Sequence, residues 1–213
     1  MLKILLTTSL FFLTFTITAQ NDFEQSLDSI QTLDDVNLFF KKNKTIKGKV
    51  IVFNEEKHKT RMALDILKMG LGSKKYFKDA PQKTYYKVID KYEIPYYRVS
   101  CVFLDGEKMA MDDIEKLRTQ IISKYQQGYR FTDLARLHSM NQSAKQGGDL
   151  GWLKTGDMHT DFETAITDNG HAVGDIFLVD IPETKSYYVI LKTHDSKLIK
   201  ESKVLKVTEP SRR

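Results

Sequence analysis

Apolar and polar positions along the chain divide it into helical and β-type stretches. Residues 22 to 42 carry Phe23, Leu27, Ile30, Leu33, Val36 and Phe39. That spacing predicts one amphipathic helix, or two short ones broken near Thr32-Leu33-Asp34. Ile46 to Phe53, with the β-branched run Val50-Ile51-Val52, reads as a buried strand. Glu55 to Met69 reads as a helix with Met62, Ile66 and Met69 on one face, Ala63 and Leu67 beside it, and Gly70 and Gly72 ending it. Lys83 to Ile94, rich in Tyr and Val, predicts a second strand that closes a strand-helix-strand unit. An equal alternative makes the helix a bundle element and the strands edge additions. Pro95 then punctuates the chain.

From Tyr96 onward the signals sharpen. Arg98 to Leu104 reads as a strand and Asp105-Gly106 as a turn. Met111 to Gln127 places Ile114, Leu117, Ile121, Ile122 and Tyr125 at helical spacing, with Gly128 positioned as a cap. Phe131, Leu134, Ala135 and His138 line a shorter helix. Thr160 or Asp161 is expected to cap a helix holding Phe162, Ala165 and Ile166. Ile176 to Val179 and Tyr187 to Thr193 read as strands, Lys197 to Val207 as one more, and Glu209 to Arg213 as a frayed, charged end.

The stretch Ser143 to Glu163 interrupts this regular pattern. Gly147, Gly148 and Gly151 allow positive φ or close backbone approach, so a tight turn is expected. Asp149 lies inside it, where a short carboxylate accepts hydrogen bonds from nearby N–H groups. Leu150, Trp152, Met158 and Phe162 follow, too many large apolar groups for a solvated loop. A rigid turn with apolar side chains around a hollow fits a pocket rim; a glycine turn feeding a core strand fits the same residues.

Gly-Gly-Asp-Leu-Gly-Trp, then Gly-Asp-Met, then Phe-Glu resembles the signature of the parvulin family of peptidyl-prolyl cis/trans isomerases. Tyr97-Arg-Val-Ser-Cys-Val-Phe-Leu104 is similar to the family's first strand, Met111 to Gly128 and Phe131 to Ser139 to its first two helices, and Tyr187 to Thr193 to its closing strand. The resemblance spans about residues 97 to 195. It implies an α+β fold, a four-stranded, mainly antiparallel sheet surrounded by helices, preceded here by an N-terminal α/β extension.

The resemblance also implies a reaction. An Xaa-Pro amide isomerises over a barrier of about 18–20 kcal/mol because it resists twisting. A catalyst must seat the proline ring and stabilise the twisted amide, which is less charge-separated than the planar one, so an apolar pocket suits it. Neither a metal nor an organic cofactor is required. Leu150, Met158 and Phe162 match the positions that seat the substrate proline, and Trp152 is expected to pack rather than touch substrate. The polar centre departs from the family: Cys101 and Tyr188 stand where its two histidines are expected, and Asn141 where it places a cysteine or aspartate. A thiol and a phenol can share a hydrogen bond. A nucleophilic Cys101 is not expected, since a thiol on an apolar strand has a raised pKa. Two outcomes remain: a slow isomerase, or a fold that only binds polypeptide. The loop Asp105-Gly-Glu-Lys-Met-Ala is not basic, so selection for phosphorylated substrates is not expected.

Composition narrows the setting. Of 213 residues, 41% are hydrophobic and 29% charged, ordinary for a globular chain. The net charge of +5 comes from scattered lysines without a basic helix or aromatic-basic stripe, so no nucleic-acid partner is expected. Lys3, the apolar run Ile4 to Ile17 and Thr18-Ala19-Gln20 read as a secretory signal peptide over residues 1–19, with no stable membrane span after cleavage. The mature protein is expected in the periplasm of a Gram-negative source, acting on proline-containing unfolded or extended polypeptides. Its single cysteine forbids an intrachain disulfide. His58, expected on the exposed side of a helix, and His138, His159, His171 and His194 show no metal-ligand spacing, and Ser100 and Ser139 lack a base for acyl transfer. The expected organisation is a signal peptide (1–19), an extension (20–95), an isomerase-like domain (96–195) and a C-terminal strand with basic tail (196–213).

Overall fold

A computed structural model describes residues 23–79, 82–168 and 170–209. The signal-peptide reading of residues 1–19 and the expected fraying of 210–213 lie outside the described residues. The chain divides into two compact units, one comprising the described residues up to Glu93 with those from Lys200, the other running from Ile94 to Ile199.

The first unit begins with α1 (helical residues 23–28) and α2 (Leu33–Lys42). These are the two short helices of the alternative reading. Thr32 caps the second of them: its side chain accepts from Asp35 N at 3.2 Å while Asp35 accepts from Thr32 N at 2.9 Å, a reciprocal capping box. β1 (Gly48–Asn54), α3 (Arg61–Lys68) and β2 (Lys74–Asp79) follow. The helix expected from Glu55 starts at Arg61 instead. The side chain of Asn54 accepts from Glu56 N and Lys57 N at 2.9 and 3.0 Å, diverting the backbone into a turn, and Thr60 supplies the cap. His58 therefore sits in that turn rather than on the helix, its Nδ1 accepting from Asn54 N at 3.0 Å.

β3 (Gln82–Asp105) runs unbroken through Pro95, where a break was expected, and pairs antiparallel with the unforeseen β2. β1 does not pair with β3 as a closed strand-helix-strand unit would require; the strand order is β1-β6-β3-β2. Successive residues on these strands face opposite sides. Tyr85, Ile89, Leu205 and Val207 meet Leu27, Val36 and Phe39 of the first two helices and Ile30 of the link between them, while Tyr86, Val88 and Val204 meet Ala63 and Ile66 of α3. β1 is thus an edge strand with only half its side chains covered. Phe53 is buried, but Val50 and Val52 are 36% and 39% exposed, against the expectation of a buried strand.

The second unit contains the remainder of β3, then α4 (Met111–Gln126), α5 (Phe131–His138), β4 (Asp149–Leu153), α6 (Thr160–Thr167), β5 (Ile176–Ile181) and the start of β6 (Ser186–Thr208). The last two expected strands are one continuous β6. Four strands pass through this unit, the number the family resemblance implied, and their order is β4-β3-β6-β5. The two β-faces are covered by different helices. Val102, Leu104 and Val189 pack against α4 and α5, while Val99, Cys101, Val179 and Ile190 pack against Phe162 and Ile166 of α6. Gly128 follows α4 at φ +92°, the cap its position predicted. His159, rather than Thr160 or Asp161, caps α6 by accepting from Asp161 N.

Candidate active site

The site lies on the α6 side of the second unit. Cys101 faces it because strand alternation sends Val99 and Cys101 one way and Val102 and Leu104 the other. The glycine turn closes against that strand. Gly147 and Gly148 have φ of +72° and +82°, and Cys101 N donates to Gly148 O at 2.9 Å. A Cβ at Gly148 would stand 2.4 Å from Cys101 O, so only glycine permits the approach. Asp149 behaves as its place in the turn predicts, accepting from Gly151 N at 2.9 Å.

Leu150, Met158 and Phe162 all join one apolar cluster, together with Cys101 and Tyr188. Their depths differ. Phe162 is fully buried and forms the floor, whereas Leu150 and Met158 are partly exposed. The ring of Tyr188 meets Phe162 edge-on at 5.1 Å and also leans on Phe103 at 5.3 Å, so three rings continue the apolar surface. Met158 is held by Glu163, whose Oε1 accepts from Gly156 N at 2.8 Å and Met158 N at 2.9 Å. That carboxylate ties the Thr155–Met158 loop to α6.

Asn141 reaches the same centre. Its Oδ1 accepts from Ser143 Oγ at 2.7 Å and Ser139 Oγ at 3.1 Å, which turns its amide N–H₂ toward Cys101 Sγ at 3.9 Å. Ser139 Oγ in turn accepts from Phe103 N at 2.9 Å. The thiol thus bonds to Asn141 rather than sharing the hydrogen bond with Tyr188 that its position suggested. Burial pushes the Cys101 thiol up to about 11, against a smaller opposing effect of Ser143 and Asn141. Burial also raises the Tyr188 phenol, opposed by a hydrogen bond with Ser186. Both groups are neutral at physiological pH.

A centre of this kind carries no charge to attack a carbonyl and offers an apolar environment to an amide losing its conjugation. Trp152 lies on the other side of β4, with Lys197 Nζ 4.2 Å from its ring and His194 at 5.5 Å, a packing position as expected. Sequence reasoning weighed Ser139 only as a nucleophile and gave no role to Ser143, Phe103 or Glu163. Only Glu163 left a signal, standing beside Phe162 in the Phe-Glu pair.

The PPIC-type PPIASE domain model matches residues 86–197, just over half of the chain. The chain belongs to that family, the parvulin-type peptidyl-prolyl isomerases. A chaperone SurA of Thiobacillus denitrificans is 49% identical over 47 residues, 22% of this chain and 11% of the relative. The chaperone SurA of Bordetella pertussis is 42% identical over 67 residues, 30% of this chain and 13% of the relative. The match thus spans little more than a tenth of either relative. PrsA from Bacillus subtilis, a solved structure, is 28% identical over 47% of this chain and 35% of its own, with a TM-score of 0.38. A SurA-like chaperone structure from Campylobacter jejuni covers 92% of this chain and 59% of its own at 20% identity, with a TM-score of 0.39.

Proposed function

We propose that this protein is an exported parvulin-type isomerase that assists the folding of proteins in the periplasm, turning over slowly because Cys101 and Tyr188 replace the family's histidine pair. The observation that carries this is the convergence of Leu150, Met158 and Phe162 with Cys101 and Tyr188 in one apolar cluster. Leu150 and Met158 would clasp the proline ring above Phe162, while Cys101, Asn141 and Tyr188 would face the twisting amide. Stabilisation of the twisted amide is then chiefly apolar and steric, without the directed hydrogen bonds that commonly contribute orders of magnitude in rate. Curated relatives that are chaperones support a client of unfolded polypeptide. Among the described residues no helix is long and apolar enough to cross a membrane.

A second reading, the same fold holding extended chains without turnover, is favoured by the side chains at the centre, Cys101 and Tyr188, which stand where the resemblance places two histidines. Exchange spectroscopy on Xaa-Pro peptides at several protein concentrations separates the two. An isomerase shows a catalysed rate proportional to protein concentration that drops in Met158→Ala. A pure holdase shows no such rate and suppresses aggregation of an unfolded client.

A further inference from the structure

Leu150 and Leu153 lie three residues apart on β4, yet both pack into the cluster around Phe162. A regular strand cannot do this, because residues three apart face opposite sides. The register supplies the reason. Arg98 pairs with Trp152 and Ser100 with Asp149, so two steps on β3 are matched by three on β4. The extra residue forms a β-bulge between Asp149 and Trp152. Gly151 occupies it at φ +70°, the left-handed conformation such a bulge needs.

A bulge of one residue is a local choice that has to be held. Asp149 holds it from both sides. Its Oδ1 accepts from Gly151 N at 2.9 Å, which closes the bulge, and from Arg98 Nε at 3.2 Å. Arg98 Nη2 donates to Oδ2 at 2.5 Å, making the pair bidentate. Arg98 is itself fixed on β3, where Thr193 Oγ1 donates to its carbonyl at 3.0 Å. Its guanidinium also lies 5.9 Å from the Trp152 ring. The clasp is on the opposite side of β4 from the cluster, and its two side chains are only about a third exposed.

We infer that Arg98, through Asp149, is a positioning residue of the proline seat: the clasp fixes the β4 bulge and the bulge aims Leu150 into the cluster. Without the clasp β4 relaxes toward regular pairing, which swings residue 150 out of the seat. This inference deepens the proposed function and rests on it for its consequence in turnover, but the aiming of Leu150 is a property of the fold that can be read separately. Besides Arg98 itself, the titratable side chains facing the clasp are His194 and Lys197, both from β6 and both around Trp152. Arg98 chiefly, then the Gly151 N–H, holds the Asp149 carboxyl below its ordinary range, with burial opposing. The clasp therefore persists across neutral pH and opens only as pH falls through that lowered value.

The test uses the full chain with labelled leucine methyls and a blocked Ala-Leu-Pro-Ala peptide as probe. Arg98→Ala, Arg98→Lys and Asp149→Asn are compared with the wild type. In Arg98→Ala the Leu150 methyls lose their NOEs to the Phe162 and Tyr188 rings, while Met158 keeps its own. The peptide's exchange rate, or its affinity if there is no turnover, falls about tenfold. Arg98→Lys recovers part of both, and there the acid transition of the Leu150 methyls moves to higher pH than in the wild type, because the single ammonium holds Asp149 less firmly. Unchanged Leu150 NOEs in well-folded Arg98→Ala and Asp149→Asn would overturn the inference. A wild type that neither turns over nor binds the peptide, with NOEs lost as expected, would leave the clasp in place and sink the proposed function instead.

Discussion

The amide N–H₂ of Asn141 points at the sulfur of Cys101 from 3.9 Å, its oxygen occupied by two serine hydroxyls. The thiol it meets is fully buried and strongly disfavours ionisation. Cys101 is therefore expected to resist iodoacetamide at pH 8 in the folded protein and to react promptly in urea. Rapid alkylation under native conditions, seen as a mass shift, would contradict this account of the centre.

The same thiol makes stability depend on alkaline pH. Its pKa rises from 9.0 to about 11 on folding, so its contribution is complete below pH 9 and is lost as pH climbs through the folded value. The loss amounts to about 2–3 kcal/mol. Urea titrations at pH 8 and pH 11 should show a larger fall for the wild type than for Cys101→Ala. Equal falls would mean that the thiol does not couple to folding.

Met158 and Phe162 should separate on mutation. Phe162 has no exposed surface, so Phe162→Ala is expected to destabilise the fold by about 3–5 kcal/mol and confuses loss of the seat with loss of the core. Met158 is partly exposed, and Met158→Ala should cost about 1 kcal/mol in stability while lowering peptide turnover or affinity about tenfold. Thermal melts beside the exchange assay distinguish the two behaviours.

Glycine is required at Gly148 for two reasons and at Gly151 for one. Gly148→Ala combines a positive φ with a Cβ placed 2.4 Å from Cys101 O, and is expected to cost about 2–4 kcal/mol. Nothing stands within 4 Å of a Cβ at Gly151, so Gly151→Ala should cost about 1–2 kcal/mol from backbone strain alone. Denaturation midpoints of the two variants in the reverse order would refute this.

Arg118 is the buried charge to test. Only 2% exposed, it pairs with Asp180, donates to Val179 O at 3.3 Å and Glu115 at 2.9 Å, and lies over the Tyr187 ring. Arg118→Ala leaves a cavity and an unmatched carbonyl, for an expected loss of about 2–4 kcal/mol. Arg118→Met refills the volume and should recover roughly half, as judged by urea midpoints.

Local rules carried far in this chain. The period of Ile114, Ile121 and Tyr125 with Gly128 behind them defines α4, because helix periodicity and a left-handed cap are properties of neighbouring residues. The glycine turn and the Asp149 carboxylate accepting a backbone N–H within it were legible for the same reason. The motif resemblance named Leu150, Met158 and Phe162, and all three meet in one cluster.

What local rules missed depends on partners distant in the chain. Pro95 reads as a break, yet proline's fixed φ suits extended backbone wherever its absent N–H is not needed, and only the sheet decides that. The sequence pattern assigns no element to lysine-rich β2, and it is a strand because Tyr85 and Tyr86 of β3 pair with it. Arg118 occupies a core position of α4 because Asp180, 62 residues away, comes to meet it. The bulge that brings Leu150 and Leu153 to one side exists only through pairing with β3. Side-chain periodicity and turn chemistry are written in the order of residues, whereas ladder register, the depth of Phe162 and the neutrality of Cys101 come from which strands and helices lie against one another, and that only the folded chain determines.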